Sequence, residues 1–448
     1  MKKVLFVFAM AAVLMAGCNR VSIPPVDDPS WFTNQAYFEE KNGLYVEMPI
    51  YPENIVMVGD DYIDRGLWNE FYGDTTIKNR GITYDATEHV MYRIGRIAVQ
   101  KPAKIFVSVG WNDVLHGTPS ETIAANISKI FKIIHKVSPN TECYWLNIVG
   151  SDKLLSEEQQ TAVKAVNDAV QNASAKEGFE VIDICSALQQ GVDDGVYSWD
   201  GGKYLNGAGY AALAKALEEK MGKTALNQPD DKEYPLEVSD YYRHRASMFR
   251  SLPKPDRKIV MLGNSLTNNG PWEELFPFGY VVNRGISGDV IEGVHQRLDA
   301  LEGVSPDKIF LLTGTNDFVN NPEISATEVW NKYEALIKDI RARFPRTLLY
   351  VQSIFPMNPK SAYYEGFNEK VKEVNKLLDA AKEQDSYFFI DFTPVMADEN
   401  GDLRAEYTTD GIHLSATGYF VWSTELAAGM RMLLNLDPKD LVIKSIKH

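Results

Sequence analysis

The chain repeats itself at an offset of 204 positions. Tyr37 matches Tyr241, Pro49 matches Pro253, Ile55-Val56-Met57 matches Ile259-Val260-Met261, and Gly59 matches Gly263. Further on, Trp68 matches Trp272, Asn79-Arg80-Gly81-Ile82 matches Asn283-Arg284-Gly285-Ile286, Pro102 matches Pro306, and Asn112-Asp113 matches Asn316-Asp317. So long a period is a duplication of whole domains, because solenoid units run only ~20–50 residues. A length of 448 residues holds two domains of ordinary size. With 45% hydrophobic and 24% charged residues, each half can bury its own core.

The N-terminus reads as a targeting segment. Lys2 and Lys3 precede an apolar run from Val4 to Gly17, shorter than the ~20 residues needed to cross a bilayer and laid out like a secretory signal. Leu14-Met15-Ala16-Gly17-Cys18 resembles a bacterial lipobox. That resemblance implies removal of residues 1–17 and lipidation of Cys18, hence an exported lipoprotein anchored on the periplasmic or surface face of the outer membrane. Residues 18–36 then form a Pro-containing tether. Domains are expected at 37–226 and 241–436, with a linker at 227–240 and a tail at 437–448. The net charge of −15 disfavours nucleic acid as a partner. Cys143 and Cys185 lack zinc-ligand spacing. They read as buried thiols, with a disulfide still open in an exported protein.

Apolar runs alternate with amphipathic ones. In the second copy, strands are expected at 259–262, 280–283, 309–313, 348–353 and 387–391, and helices around 290–301, 326–343, 364–384 and 416–434. Strands in the first copy are expected near 55–58, 105–108, 143–149 and 181–184. The strand candidates do not alternate in polarity, so both of their faces should be buried. The fold class is therefore α/β: two tandem flavodoxin-like three-layer α/β/α domains, each with a mainly parallel five-stranded sheet. Ligands of such sheets bind beyond the carboxyl ends of the strands. In the second copy those ends carry Gly263-Asn264-Ser265-Leu266-Thr267, Arg284-Gly285-Ile286-Ser287 and Gly314-Thr315-Asn316-Asp317.

These segments, with Asp410-Gly411-Ile412-His413, hold the parts needed for acyl transfer. Ser265 is a tightly turned nucleophile, and His413 is a base that Asp410 can orient from three residues away. Gly285 and Asn316 offer donors for a developing oxyanion. The four blocks, in this order, resemble the SGNH (GDSL-type) hydrolase superfamily over the second copy from Lys258 to about Leu434. The resemblance implies a catalytic Ser265, His413 and Asp410, an oxyanion hole of Ser265, Gly285 and Asn316, and neither metal nor cofactor. Gly263-Asn264-Ser265-Leu266-Thr267 and Asn283-Arg284-Gly285-Ile286-Ser287 look most like the platelet-activating-factor-acetylhydrolase and carbohydrate acetylesterase branch. The expected substrate is an acylated small molecule or glycan, carrying O-acetyl groups on carbohydrate. A lipase or lysophospholipase and a non-catalytic glycan-binding lipoprotein are the alternatives. His295, midway along a helix, reads as structural.

The first copy departs where chemistry needs it most. Asp61 stands in the serine position, and Lys203 or Tyr204 fills the histidine position, depending on where a one-residue insertion falls. Gly81, Asn112 and Asp200 persist. The expectation is a catalytically inactive domain kept for packing, glycan binding or shaping the other site. Trp111 is available either to stack on a sugar or to pack in the core. An acid pair of Asp61 and Asp200 is the remaining enzymatic alternative.

Overall fold

The computed structural model describes residues 26–227, 239–254, 258–276, 280–303 and 305–434, without the side chains of 429–434. The expected signal segment 1–17, Cys18, most of the expected linker and the expected tail lie outside the described residues.

Each copy forms one five-stranded, all-parallel sheet. The first comprises β1 (Ile55–Gly59), β2 (Ile77–Gly81), β3 (Lys104–Ser108), β4 (Glu142–Leu146) and β5 (Glu180–Ile182), in the order β2-β1-β3-β4-β5. The second comprises β6 (Ile259–Gly263), β7 (Val281–Gly285), β8 (Lys308–Leu312), β9 (Leu348–Gln352) and β10 (Phe388–Ile390), in the matching order β7-β6-β8-β9-β10. The registers match as well: Gly59 lies opposite Gly81, and Gly263 opposite Gly285. β1 is buried along its whole length, and β6 and β8 at all but their first residue, as their continuous apolar runs require. β2 carries no apolar run, since its sequence is Ile-Lys-Asn-Arg-Gly. It lies at the sheet edge, where Asn79 donates to three main-chain carbonyls and Lys78 and Arg80 meet Glu274.

The helices that open each copy sit between the two domains. Helix Gln35–Glu47 buries Phe38, Leu44 and Tyr45, and these join a core made mostly by the second copy, with Leu266, Trp272 and Trp422. Helix Asp240–Ser251 does the reverse, placing Met248 and Phe249 in the first copy's core beside Trp68 and Tyr210. The expected boundaries at 37 and 241 thus mark the repeat, while the packing ties each opening helix to the other copy.

Two reciprocal ion pairs close this interface. Arg80 Nη1 and Nη2 donate to Glu274 Oε1 and Oε2 at 2.6 and 2.9 Å. Arg284 makes the equivalent fork on Glu70 at 3.0 and 2.9 Å. Arg80 corresponds to Arg284 and Glu70 to Glu274 at the same offset, so the copies face each other across a pseudo-twofold axis.

Cys143 and Cys185 are free thiols. Each donates instead to a main-chain oxygen, Cys143 to Thr141 and Cys185 to Ile148.

Candidate active site

The chain leaves β6 at Gly263 and turns at once into a short helix, Ser265–Asn269. Close packing demands this glycine, because a Cβ there would lie 2.0 Å from the Leu312 carbonyl oxygen. Asn264 caps the turn by accepting from the Leu266 N–H at 3.2 Å, which leaves Ser265 at the head of the helix, where N–H groups have no intrahelical acceptor. A buried arginine fixes the ends of the neighbouring strands. Arg297 donates to Asp289 Oδ2 at 2.8 Å, to the Arg284 carbonyl at 2.8 Å and to the Gly263 carbonyl at 2.9 Å.

The second half of the site comes from a turn before the last helix. Gly411, at φ 95°, lets residues 410–413 fold tightly enough for Asp410 Oδ1 to accept both the Ile412 and His413 N–H groups, at 2.9 and 2.8 Å. Asp410 Oδ2 is then 2.7 Å from His413 Nδ1, and His413 Nε2 is 3.0 Å from Ser265 Oγ. Ser265, His413 and Asp410 therefore converge as the sequence predicts, across 148 residues of chain.

This geometry sets the electrostatics. Burial raises the Asp410 pKa, but the hydrogen bond and charge of His413 and two main-chain N–H groups outweigh it and hold the carboxylate at about 2. Burial lowers the His413 pKa, but the Asp410 bond and the charges of Glu40 and Asp410 carry it above 6.5. Glu40 comes from the other copy's opening helix. It is 1% exposed and accepts from Asn269 Nδ2 at 3.0 Å. Sequence reading misses it, since its only signal is an acidic residue on the apolar side of a helix.

The oxyanion donors need one correction. The Gly285 N–H does not face the hollow. It donates to Asn283 Oδ1 at 2.9 Å, and Gly285 is small because a Cβ would meet the Asn268 nitrogen at 2.1 Å. The first copy points to a different donor. There, Asp61 Oδ2 accepts the Tyr84 N–H at 2.9 Å and Asn112 Nδ2 at 3.2 Å, so the carboxylate lies where an oxyanion would. The corresponding groups in the second copy are the Gly288 N–H and Asn316 Nδ2. Gly288 has φ 81°, with open space where a Cβ would be. Its sequence signal is the Ser287-Gly288 step just past the block that contains Gly285. Asn316 Nδ2 uses one hydrogen on the Asp289 carbonyl at 2.8 Å. Among the described residues, the Ser265 and Gly288 N–H groups have no intramolecular acceptor.

The first copy's histidine position resolves to Tyr204, whose N–H donates to Asp200 Oδ1 at 3.1 Å, as His413 does to Asp410. Its ring lies 3.8 Å from the Arg65 guanidinium, and Arg65 pairs with Asp61 at 3.6 Å. Asp61 is thus held by a cation and two N–H donors, while Asp200 is committed to its own turn; this is not the arrangement of a catalytic acid pair. Trp111 packs against the core and lines a small hollow beside Asp61. His295 pairs with Asp339 at 3.1 Å, away from the site, as expected.

A model of the GDSL-like Lipase/Acylhydrolase family matches residues 58–212 and 261–420. The alpha1 subunit of platelet-activating factor acetylhydrolase IB from Homo sapiens is 28% identical over 169 residues, 36% of this chain and 70% of that protein. The alpha2 subunit from Rattus norvegicus is 28% identical over 171 residues, 38% of this chain and 72% of that protein. Among solved structures, a GDSL-like lipase from Bacteroides thetaiotaomicron is 20% identical, covering 43% of this chain and 98% of its own, at a TM-score of 0.39.

Proposed function

The chain belongs to the GDSL-like lipase/acylhydrolase family, and from that premise we propose that its second copy is a serine esterase acting on small acyl esters, O-acetyl groups of carbohydrates foremost. The observation that carries this reading is the unbroken chain of contacts from Ser265 Oγ through His413 to Asp410, at 3.0 and 2.7 Å. Ser265 Oγ attacks the ester carbonyl while its proton passes to His413 Nε2. Asp410 keeps Nδ1 protonated and stabilises the imidazolium. The tetrahedral oxyanion receives the Ser265 and Gly288 N–H groups and the Asn316 amide. His413 returns the proton to the leaving alcohol, and a water deprotonated by the same imidazole then releases the acyl group from Ser265.

The acetyl preference draws on the named relatives, which are acetylhydrolases. The carbohydrate part draws on the polar walls of a cavity of about 350 Å³ beside His413, which include Asn268, Asn269, Asn283 and Ser287. The first copy is inactive in this reading, because Asp61 stands in place of the serine nucleophile and Tyr204 in place of the histidine base. Lipidation at Cys18 would anchor the protein on the outer membrane. Two or more acyl chains are needed for stable anchoring, so labelling with a radioactive fatty acid should be lost in Cys18→Ala.

Acetate release from O-acetylated glycans by wild type and Ser265→Ala, side by side, tests the central claim. Release by wild type alone supports it. Equal release by both defeats it, and preference for octanoyl over acetyl esters would move the substrate to lipid.

A further inference from the structure

Where the first copy seats a cation against a carboxylate, the second leaves one without. Lys41 Nζ pairs with Asp64 Oδ1 at 3.3 Å. The residues 204 positions on are Arg245 and Asn268, an amide in place of the acid. Arg245 is 5% exposed. Its Nη1 donates to the Arg65 carbonyl at 2.6 Å, its guanidinium lies 5.1 Å from the Phe249 ring, and its Nε has no partner. Burial and the like charge of Arg65 both weigh against this cation, and Asp64, the carboxylate acting on it, is already engaged by Lys41.

Both arginines line the cavity of about 350 Å³ that opens beside His413 between the two copies, within the ~300–1,000 Å³ of typical ligand pockets. Lys41 there is paired with Asp64, and Arg65 with Asp61. Glu273 also lines the cavity, its carboxyl raised to about 7 by burial. Among the described residues no carboxylate is hydrogen-bonded to Arg245. A buried cation without a counter-ion is costly, and the planar fork of an arginine matches a carboxylate with two parallel hydrogen bonds.

We propose that the cavity between the copies is an anion subsite in which Arg245, backed by Arg65, receives a carboxylate on the alcohol portion of the ester held at Ser265. The proposal rests on the esterase reading of Ser265 and His413. It also gives the first copy a role in recognition, because Arg65 and Tyr204, stacked 3.8 Å apart, form the far wall of the substrate site. A guanidinium without a carboxylate partner matches a carboxylate ligand, so the substrate class is an acylated acidic sugar rather than a neutral one.

The experiment compares kcat/KM for acetylated methyl glucuronoside and acetylated methyl glucoside in wild type, Arg245→Gln, Arg245→Lys and Asn268→Asp. Charge-assisted hydrogen bonds imply a wild-type preference for the acidic ester of about tenfold or more. Arg245→Gln should bring the ratio close to one, and Arg245→Lys should retain part of it. Asn268→Asp supplies the missing counter-ion without removing a buried side chain, so it should also abolish the preference. A ratio near one in wild type, or one unchanged in both Arg245→Gln and Asn268→Asp, overturns the proposal. If wild type cleaves neither ester nor p-nitrophenyl acetate, the esterase reading fails, and calorimetric titration with methyl glucuronoside decides the subsite alone. Binding that is lost in Arg245→Gln keeps it, and no binding by wild type removes it.

Discussion

Arg284 grips both carboxylate oxygens of Glu70 across the boundary between the two copies, at 3.0 and 2.9 Å, with less than 3% of either side chain exposed. Burying such a pair brings little net stability, because desolvation offsets the attraction, but removing one member strands the other charge at a cost of ~3–5 kcal/mol. Glu70→Ala should therefore lower the denaturant midpoint sharply. Lys164→Ala, which breaks the exposed Lys164–Asp168 pair, should leave it within error. Equal midpoints for the two variants would mean that the interface is not held as described.

Of the three proposed oxyanion donors, Asn316 is the one that a side-chain change can delete. Asn316→Ala should lower kcat by ~10²–10³ with a smaller effect on KM, since the bond to the substrate strengthens only as charge develops. Steady-state kinetics on p-nitrophenyl acetate measure both. Loss confined to KM would assign the amide to ground-state binding instead.

His413 must be neutral to accept the serine proton. Its pKa is carried above 6.5 by Asp410 and Glu40, so kcat/KM should rise with pH through a midpoint above 6.5 and fall away on the acid side. Asp410→Asn removes the main upward influence, so the midpoint should move down even as the rate drops. A profile flat from pH 5 to 8 would exclude the imidazole as base.

Glu40 reaches this site from the other copy's opening helix. Burial pushes its carboxyl up to about 7, against the pull of the His413 and Lys41 charges. Where Glu40 is ionised it favours the imidazolium, so Glu40→Gln should shift the acid limb of kcat/KM to lower pH. The same change should raise stability at pH 8. A carboxyl whose folded pKa is raised disfavours the native state by an amount that grows as pH rises from its unfolded pKa of 4.5 and is complete above about 7. Chemical denaturation at pH 5 and pH 8 separates the two effects.

Much of the chemistry is legible without the fold. Ser265, Asn316 and the Asp410–His413 turn each follow, or lie close to, an element whose apolar run or helical period is plain in the sequence, and strand ends in a parallel sheet gather at one edge. β2 is hidden because Lys78, Asn79 and Arg80 interrupt its apolar character. It is a strand nonetheless, because its Asn79 side chain bonds three carbonyls and its Arg80 finds Glu274. Gly285 reads as a donor in the sequence because residue type says nothing about where an N–H points. Only the Asn283 bond shows that it is already spent.

By itself the sequence determined the duplication, the two parallel sheets and the segments that carry Ser265, Asp410 and His413, because periodicity and strand-end position are local properties. Tertiary structure alone decided that each opening helix serves the other copy. It also decided that the Gly285 N–H is spent on Asn283, that Tyr204 holds the histidine position, and that Glu40 and Arg245 lie at the boundary between the copies. These depend on hydrogen-bond direction and on which sheet covers an apolar helix face, and both are set only when distant segments pack.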